Sequence, residues 1–335
     1  MTRYGLLLPH FGEEAGRDRL LGGACRAEAL GFDSLWVRDH LVFEPHAGFE
    51  RPDRTFYEAL TTLTAVGAVT SRIRLGTAAL IPFRHPLVVA QTATTMTHLL
   101  GPRLILGFGI GNFDHEFAAV GLGGVDRHAL LRAQVEILRR VMAKDDVSYR
   151  DDHFQFEHVT IEPKPAGGPI PLWHCGSSPK SARLAVELYD GWMPGRIALA
   201  TLTRRMETME TLAAAAGRTM PLVGVMPPTS VAATREEALA PVNLPGCLAW
   251  ANRSRFAVRP PSGRFETVAD LEGQLVAGSP DEVLEECRKF ESLGVDQVVF
   301  DLRFRFDRWL EQMEVLGREV LPRLALSAPR NGIRP

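Results

Sequence analysis

An aspartate and a histidine stand side by side where a short apolar run ends. Residues 34–37 read as a buried strand, and Asp39 and His40 follow it after one intervening residue. Imidazole exchanges protons near neutral pH, so His40 could serve as a proton donor or acceptor. The alternative is structural, with His40 bonded to a backbone carbonyl and Asp39 capping the next loop. Position alone leaves both interpretations open.

A glycine-rich segment follows the apolar run at 104–108. It supplies Gly107, Gly109, Gly111, Asn112 and, one helical turn further on, Glu116. Glycines let the backbone approach a ligand closely, although a tight turn with close helix packing would use them equally well. The order GFGIGN does not satisfy G-x-G-x-x-G, which disfavours a Rossmann dinucleotide site.

A third polar group stands before a helix. Its members are Cys175, Gly176, Ser177 and Ser178, followed by Pro179. Backbone amides and hydroxyls at a helix start can bind an anion such as a cofactor phosphate. A helix capped by Ser178 with no ligand would have the same sequence. Cys175 has no reactive context and is interpreted as a small residue at a strand end.

Neither the histidines nor the cysteines form a metal-binding pattern. His115 and Glu116 do not belong to an H-E-x-x-H motif, and His85 is expected to shape a loop. The four cysteines, at 25, 175, 247 and 287, contain no C-x-x-C pair. We therefore expect no metal and no disulfide, as is usual in a reducing cytosol.

These groups must be positioned by the strands and helices around them. Along the chain, apolar runs of strand length alternate with helical patterns. Predicted strands cover 5–9, 34–37, 73–80, 104–108, 172–175, 191–193, 222–226 and 297–300. Predicted helices cover 17–30, 57–69, 87–100, 127–143, 180–189, 199–216 and a segment from the Ser279 cap to Gly294. An open doubly wound sheet is possible, but eight βα units favour one closed α/β (TIM) barrel with its site at the C-terminal ends of the strands.

Two segments interrupt this alternation. Residues 147–156 carry aromatic and β-branched residues around a polar turn, which predicts a hairpin. Residues 227–275 are rich in proline and arginine and contain Trp250. A connection of this length is typically either a functional lid or poorly ordered, and we favour a lid.

Composition excludes several functional classes. The 335 residues carry a formal charge of -2, which gives nucleic acid no basic surface to bind. No charged n-region with a long apolar segment begins the chain, and no uninterrupted apolar run is long enough to cross a bilayer. We expect a soluble cytoplasmic protein that acts on a small molecule and contacts no membrane.

Three segments together resemble the bacterial luciferase-like flavin oxidoreductase superfamily. They are GFDSLWVRDHL at 31–41, the stretch at 71–116 that includes RIRLGT, RHP and LGFGIG, and PLWHCGSSPKSARLAVELYDGWMP at 171–194. The resemblance covers roughly residues 4–325 and keeps the family's order of motifs. It implies one barrel domain over 1–326, a flexible tail at 327–335 and a homodimer.

The resemblance also implies roles for particular residues. His40 would lie beside the ring of a flavin-type cofactor, with Asp39 and Glu116 as further catalytic candidates. In the deazaflavin branch a non-prolyl cis peptide touches the ring, and Ala78–Ala79 is its counterpart here. The expected cofactor site comprises Ala78, Ala79, Gly107, Gly109, Gly111, Asn112, Cys175, Gly176, Ser177 and Ser178, and the expected substrate contacts are Phe43, Glu44 and Trp250.

Family members use either coenzyme F420, a deazaflavin that carries hydride, or FMN, whose reduced form activates oxygen and can come from a separate reductase. The helix sequence VVAQTATTM, with Gln91, resembles the F420 branch. The chain has Asn112 and Glu44 where F420-dependent sugar-phosphate dehydrogenases have a glutamate and a tryptophan, which argues against glucose 6-phosphate. The expectation is hydride transfer with F420; an FMN monooxygenase and a non-catalytic flavin-binding homologue are the alternatives.

Overall fold

Eight parallel strands close into a barrel, which confirms the predicted fold class. The computed structural model describes residues 1–46 and 49–327. The strands are β1 Arg3–Leu7, β2 Ser34–Val37, β3 Arg74–Thr77, β4 Leu104–Phe108, β5 Val147–Arg150, β6 Gln155–Val159, β7 Leu172–His174, β8 Gly191–Trp192, β9 Leu222–Val225, β10 Thr229–Val231, β11 Val276–Gly278 and β12 Gln297–Phe300. Around the barrel the order is β1-β12-β9-β8-β7-β4-β3-β2.

Helices follow most barrel strands and cover the outside of the barrel. They are α1 Arg17–Ala29, α2 Ala59–Ala68, α3 Pro86–Leu100, α4 Asp114–Ala119, α5 Arg127–Ala143, α6 Pro179–Leu188, α7 Leu199–Ala215, α8 Arg235–Leu239, α9 Leu244–Arg253, α10 Pro280–Ser292, α11 Trp309–Val315 and α12 Leu321–Ser327. Two 3-10 turns, Ala269–Leu271 and Arg303–Arg308, and a π-helical turn, Leu316–Val320, complete the fold. None of the helices within the described ranges has the length and hydrophobicity needed to cross a membrane.

Large and small residues interlock inside the barrel. Trp36 and Trp173 are fully buried, with ring centroids 5.8 Å apart. Each indole occupies space that a neighbouring glycine leaves open: a Cβ on Gly76 would lie 2.4 Å from Trp36, and one on Gly191 would lie 2.3 Å from Trp173. The inside of the closed barrel is therefore a packed core among the described residues.

Helix starts agree with the caps in the sequence. Ser178 accepts a hydrogen bond from the backbone N–H of Ser181 at the start of α6, as the capping interpretation predicted. Ser279 and Glu282 form a complete capping box at the start of α10. Proline occupies the first position of both helices, where its missing N–H costs nothing.

The predicted interruptions are folded segments. Strands β5 and β6 pair antiparallel, so a hairpin is present, and it extends to Val159. Residues 227–275 contain β10, α8, α9 and the first 3-10 turn, and β10 pairs with β11 in a small parallel sheet. This segment has its own apolar cluster, formed with Phe49 and Ala198 from the rest of the chain. Whether it opens and closes as a lid stays a prediction.

Several elements were missed or displaced by the sequence analysis. Helix α4 and the helical turns from Arg303 onward were not predicted, and strand ends differ by one to three residues. The expected tail begins at 327, the last residue of α12, and residues 328–335 lie outside the described residues.

Candidate functional site

A cavity of about 650 Å³ opens at the C-terminal ends of the barrel strands. The lining includes most of the predicted site residues and several unpredicted ones: Arg38, Asp39, His40, Glu44, Pro45, His46, Ala78, Ala79, Ile81, Gly109, Ile110, Gly111, Asn112, Phe113, His174, Cys175, Gly176, Ser177, Ser178, Ser181, Met193, Gly195, Arg196, Met226, Trp250, Arg253, Asp301 and Arg303. We refer to it below as the central cavity. Its position agrees with the site expected at the C-terminal face of the barrel.

Both ring nitrogens of His40 are hydrogen-bonded within the protein. Nδ1 lies 3.1 Å from Oε2 of Glu116, and Nε2 lies 3.1 Å from Nη2 of Arg38. An ionised carboxylate only accepts and a guanidinium only donates, so Nδ1 carries the proton and Nε2 accepts from Arg38. His40 reaches the cavity as predicted, but its lone pair is already engaged.

Glu116 lies behind His40 and is fully buried. Its Oε1 accepts hydrogen bonds from the backbone N–H groups of Leu41 and Val42, at 2.8 and 3.2 Å. Burial opposes ionisation, but the bonds from His40 and these backbone groups outweigh it and hold the pKa of Glu116 below its ordinary value. Glu116 therefore orients His40 and the loop after β2, and among the described residues it is not part of the cavity wall.

Asp39 is committed to an ion pair. Arg84 binds it with two parallel hydrogen bonds of 2.7 and 2.9 Å, and the backbone N–H of Ile81 adds a third at 3.0 Å. Bidentate pairs of this kind are geometrically specific. Asp39 thus ties the end of β2 to the loop after β3, which differs from the simple loop cap considered from the sequence.

The floor of the cavity is made of very small residues. The Ala78–Ala79 peptide bond is cis, as predicted, and both alanines line the cavity. A Cβ on Gly109 would lie 3.1 Å from the Cβ of Ala79, so a side chain at this position would crowd the alanine and project from the floor. Gly111 has a φ of +73°, which glycine adopts without strain.

Gly107 differs from the other predicted cofactor glycines. It packs against β3, where a Cβ would lie 2.1 Å from the carbonyl oxygen of Thr77. The Thr77 hydroxyl also exchanges hydrogen bonds of 2.9 Å with the Gly107 backbone. Within the described structure Gly107 is outside the cavity wall, so its lack of a side chain serves strand packing.

The segment from Cys175 to Ser178 lines the cavity at the start of α6. The carbonyl of Gly176 accepts a hydrogen bond of 2.8 Å from the indole N–H of Trp192, which holds the turn in place. Burial raises the pKa of the Cys175 thiol to about 12, so this residue is a poor nucleophile at neutral pH.

The three predicted substrate contacts lie in different surroundings. Trp250 and Glu44 line the cavity, and the Glu44 carboxylate approaches His115 at 3.9 Å. Phe43 is only 4% exposed and packs against Phe56, with ring centroids 4.9 Å apart. In the described structure Phe43 supports His40 from behind and does not line the cavity, which corrects its expected placement.

A buried charge network was missed. Arg38 and Arg303 both donate to Oε1 of Glu50, while Oε2 accepts from the backbone N–H and the Nδ1 of His46. Arg303 also pairs with Asp301 at the end of β12. Glu50 and Arg303 are 253 positions apart in the chain, so local patterns could not join them. The adjacent polar residues Arg38 and Asp39 at the end of an apolar strand were the available signal.

Arg196 is a second residue that the sequence analysis missed. Its guanidinium carbon lies 3.9 Å from the ring centroid of Phe49 and 4.3 Å from that of Trp250. Its buried Nη1 has no hydrogen-bond partner among the described residues. Burial lowers the pKa of Arg196 to about 9, which leaves it charged at neutral pH. The cavity therefore presents a positive charge without an ion-pair partner among the described residues.

Comparison with known proteins gives consistent matches. An F420-dependent glucose-6-phosphate dehydrogenase of Amycolatopsis mediterranei (strain U-32) is 29% identical over 331 residues, covering 93% of this chain and 96% of the relative. A protein of the same name from Beutenbergia cavernae is 32% identical over 332 residues, covering 92% and 94%. The coenzyme F420-dependent tetrahydromethanopterin reductase from Methanopyrus kandleri superposes with a TM-score of 0.75 at 20% identity, over 96% of this chain and 99% of that one.

The fold is shared with an FMN-containing oxygenase as well. The oxygenating constituent of 3,6-diketocamphane monooxygenase from Pseudomonas putida, solved with FMN, gives a TM-score of 0.73 at 19% identity, over 96% of this chain and 98% of that one. The family model for luciferase-like monooxygenases matches residues 3–297. The barrel, the order of the motifs and this match together show that the chain belongs to the luciferase-like monooxygenase family.

Proposed function

We propose that the protein is an oxidoreductase that transfers a hydride between coenzyme F420 and a small alcohol. The observation that carries the proposal is the central cavity, with its flat floor and histidine-lined wall, in a chain whose curated relatives are named as F420-dependent dehydrogenases. Those relatives match more than nine-tenths of this chain, so the comparison covers the whole barrel.

The residues of the cavity fit a flavin-type cofactor. Ala78, Ala79 and Gly109 present no group larger than a methyl, so a planar ring system can lie flat against them. The start of α6, with Gly176 and Ser177, directs helix-terminal amides towards the same space, which suits a cofactor phosphate. A volume of about 650 Å³ lies within the range of small-molecule sites.

Alcohol oxidation requires a residue of this chain that can accept the hydroxyl proton. A deazaflavin, when bound, would supply the hydride acceptor, and the hydroxyl proton of the alcohol would need a base in the cavity wall. Three histidines line the cavity, namely His40, which the sequence predicts in this role, His46 and His174. Burial lowers the pKa of His174 to about 4, so His40 and His46 are the candidates for this base. Phe113 and Trp250 both pack near the His46 ring, with ring centroids 5.0 and 6.3 Å from it.

The charge of the cavity supports an anionic substrate. Arg196 and Arg253 both line it, and Arg196 has donors to spare. A phosphate or carboxylate on the alcohol would accept hydrogen bonds from a guanidinium that is already desolvated, and such charge-assisted bonds are strong. Asn112 and Glu44 replace residues of the sugar-phosphate dehydrogenases, so the proposal is limited to an alcohol carrying an anionic group. A cytoplasmic homodimer remains a prediction from the family resemblance.

Titration of the purified protein with F420 and, separately, with reduced and oxidised FMN tests this proposal through cofactor and tryptophan fluorescence. We expect tight binding of F420, followed by its reduction when a panel of alcohols with and without a phosphate or carboxylate group is added. Tight binding of reduced FMN alone would replace the proposal with an FMN-dependent monooxygenase supplied by a reductase. Binding with no oxidation of any substrate would favour a non-catalytic homologue.

A further inference from the structure

Three histidines line the central cavity. Burial lowers the pKa of His174 to about 4, which makes it a poor base at neutral pH, and the ring nitrogens of the other two are used differently. The side chains of His40 and His46 are similarly accessible, 8% and 11% exposed, and their ring centroids are 5.8 Å apart. Exposure therefore does not distinguish them. Their hydrogen bonds do, because a histidine can take up a proton only at a nitrogen whose lone pair is free.

The lone pair of His40 is occupied. Glu116 accepts from Nδ1–H, which leaves the lone pair on Nε2, and Arg38 donates to that nitrogen at 3.1 Å. The Nε2 lone pair of His40 is therefore directed at the Arg38 guanidinium and not at a ligand in the cavity.

His46 is oriented by a carboxylate, with the opposite nitrogen left open. Its Nδ1 lies 2.9 Å from Oε2 of Glu50, and the backbone N–H of the same residue bonds to the same oxygen. Arg38 and Arg303 bind the other oxygen of Glu50 and keep the group ionised, so it can only accept. Nη2 of Arg38 also lies 3.2 Å from this Nδ1, but the shorter contact to an ionised carboxylate oxygen requires a hydrogen on Nδ1. Nε2 of His46 therefore carries the lone pair.

No hydrogen bond to Nε2 of His46 exists within residues 1–46 and 49–327, and the ring lines the cavity beside Phe113 and Trp250. Burial lowers the pKa of His46 and outweighs the hydrogen bond to Glu50, which raises the pKa. The ring is therefore neutral at pH 7. A neutral imidazole oriented through Nδ1 by a carboxylate, with Nε2 open, is the arrangement of a general base.

We propose that His46, oriented by Glu50, is the residue that accepts the substrate proton in the central cavity, and that Arg38 holds His40 in a supporting role. This inference rests on the proposed function. The alcohol O–H bond breaks and its proton passes to Nε2 of His46. The remaining electron pair forms the C=O bond as the hydride leaves the carbon for the bound deazaflavin. In the reverse reaction the protonated His46 returns the proton to the alkoxide oxygen.

The first test needs neither cofactor nor substrate. Diethyl pyrocarbonate reacts with an unprotonated imidazole nitrogen, and peptide mapping by mass spectrometry locates the modified residue. We expect His46 in the wild-type protein to be modified at least tenfold faster than His40, because of these two residues only His46 has a ring nitrogen whose lone pair is free. Equal rates, or faster modification of His40, would overturn the assignment.

The second test compares three variants with the same substitution. His46→Gln should lower the rate of F420 reduction by about 10²–10⁴-fold, the usual contribution of general acid–base catalysis, while the Kd for F420 stays within about twofold. His158→Gln is the matched control, since His158 pairs with Asp146 at 2.8 Å on the exposed hairpin, and it should keep full activity. His40→Gln should cost less than His46→Gln.

The outcomes separate the two proposals. Near-wild-type activity of His46→Gln, with activity lost in His40→Gln, would overturn the role of His46 and leave the proposed function standing. Failure of the wild-type protein to bind F420, or to oxidise any alcohol in the panel, would remove the proposed function. The assignment of the free basic nitrogen to His46 would then be decided by the modification rates alone.

Discussion

At the scale of a single residue, a substitution at Arg196 tests most directly whether the cavity binds an anionic group. Its guanidinium is stacked on Phe49 and Trp250, and its Nη1 has no partner among the described residues. Replacing it with methionine keeps the apolar contacts and removes the charge. Since a hydrogen bond to a charged group contributes about 1.5–3 kcal/mol, we expect Arg196→Met to weaken the binding of an anionic alcohol that the wild-type protein oxidises by about 10- to 100-fold.

Tryptophan fluorescence measures this effect, because Trp250 adjoins the site. The same alcohol without its anionic group is the matched ligand, and its Kd should be unchanged in the variant. Arg255→Met, at an exposed position, is the control substitution. An unchanged ratio between the two Kd values in Arg196→Met would show that Arg196 does not bind anions.

The sequence identified the residues that project from single strands but not their partners. Asp39, His40, Ala78, Ala79 and the Cys175–Ser178 segment were recognised because they follow apolar runs or match family motifs. The bonds from Arg84 to Asp39 and from Arg303 to Glu50 join residues 45 and 253 positions apart. Only the closed barrel brings these charges together, so their roles could not be predicted from local patterns.

At the scale of elements, the contact between β3 and β4 depends on one glycine. A Cβ on Gly107 would lie 2.1 Å from the backbone oxygen of Thr77, which cannot move without disturbing the barrel. We expect Gly107→Ala to lower the free energy of unfolding by about 1–3 kcal/mol, as overpacking usually does. Urea denaturation followed by circular dichroism measures the change.

Gly22→Ala provides the control for that substitution. Gly22 lies within α1, and nothing comes within 4 Å of a Cβ built there. Alanine is the better helix former, so this variant should be more stable than wild type by about 0.5–1 kcal/mol. A Gly107→Ala protein as stable as wild type would mean that the strands separate easily at this point.

A carboxylate at the end of α1 ties this helix to the chain before β3. Glu28 accepts hydrogen bonds from the backbone N–H groups of Ser71, Arg72 and Ile73, at 3.0, 2.6 and 2.8 Å. Partial burial raises the pKa of Glu28, but these bonds outweigh it and lower the pKa from 4.5 to about 2. The ionised group therefore stabilises the fold above pH 4.5, and this stabilisation is lost as the pH falls towards 2.

Glu28→Gln should reveal that pH dependence. Unfolding free energies of wild type and variant should differ most at pH 7 and converge between about pH 4.5 and 2. Glu285→Gln, at an exposed position of α10, should show no such convergence. A difference between Glu28→Gln and wild type that is constant with pH would contradict the role of the charge.

Element boundaries were predicted best where the strand is buried on both faces. The ranges of β2, β4 and β12 agree with the sequence prediction, because a short apolar run flanked by polar residues marks both ends. Helix α4 was missed because its six residues, DHEFAA, are too few to show a helical period. The turns after Arg303 were missed for a similar reason, since they are short segments with mixed polar and apolar residues.

At the scale of the whole molecule, the alternation of strands and helices was sufficient to predict a closed barrel. The shape of the cavity was not predictable, because its wall combines the ends of barrel strands with helix α9 from the 227–275 segment, which supplies Trp250 and Arg253. The positive charge of the cavity was not predictable either. It belongs to Arg196, which follows β8 and stacks on Phe49 and Trp250, two rings from distant segments of the chain.

The measurement that tests the account most directly follows isotopes through one turnover with an alcohol that the protein oxidises. The alcohol carries deuterium on the reacting carbon, the cofactor is F420, and the reaction runs under ¹⁸O₂. Mass spectrometry should find one deuterium in the reduced cofactor and no ¹⁸O in the product, as hydride transfer requires. Incorporation of ¹⁸O into the product, with no deuterium in the cofactor, would contradict the account and make the protein an oxygenase.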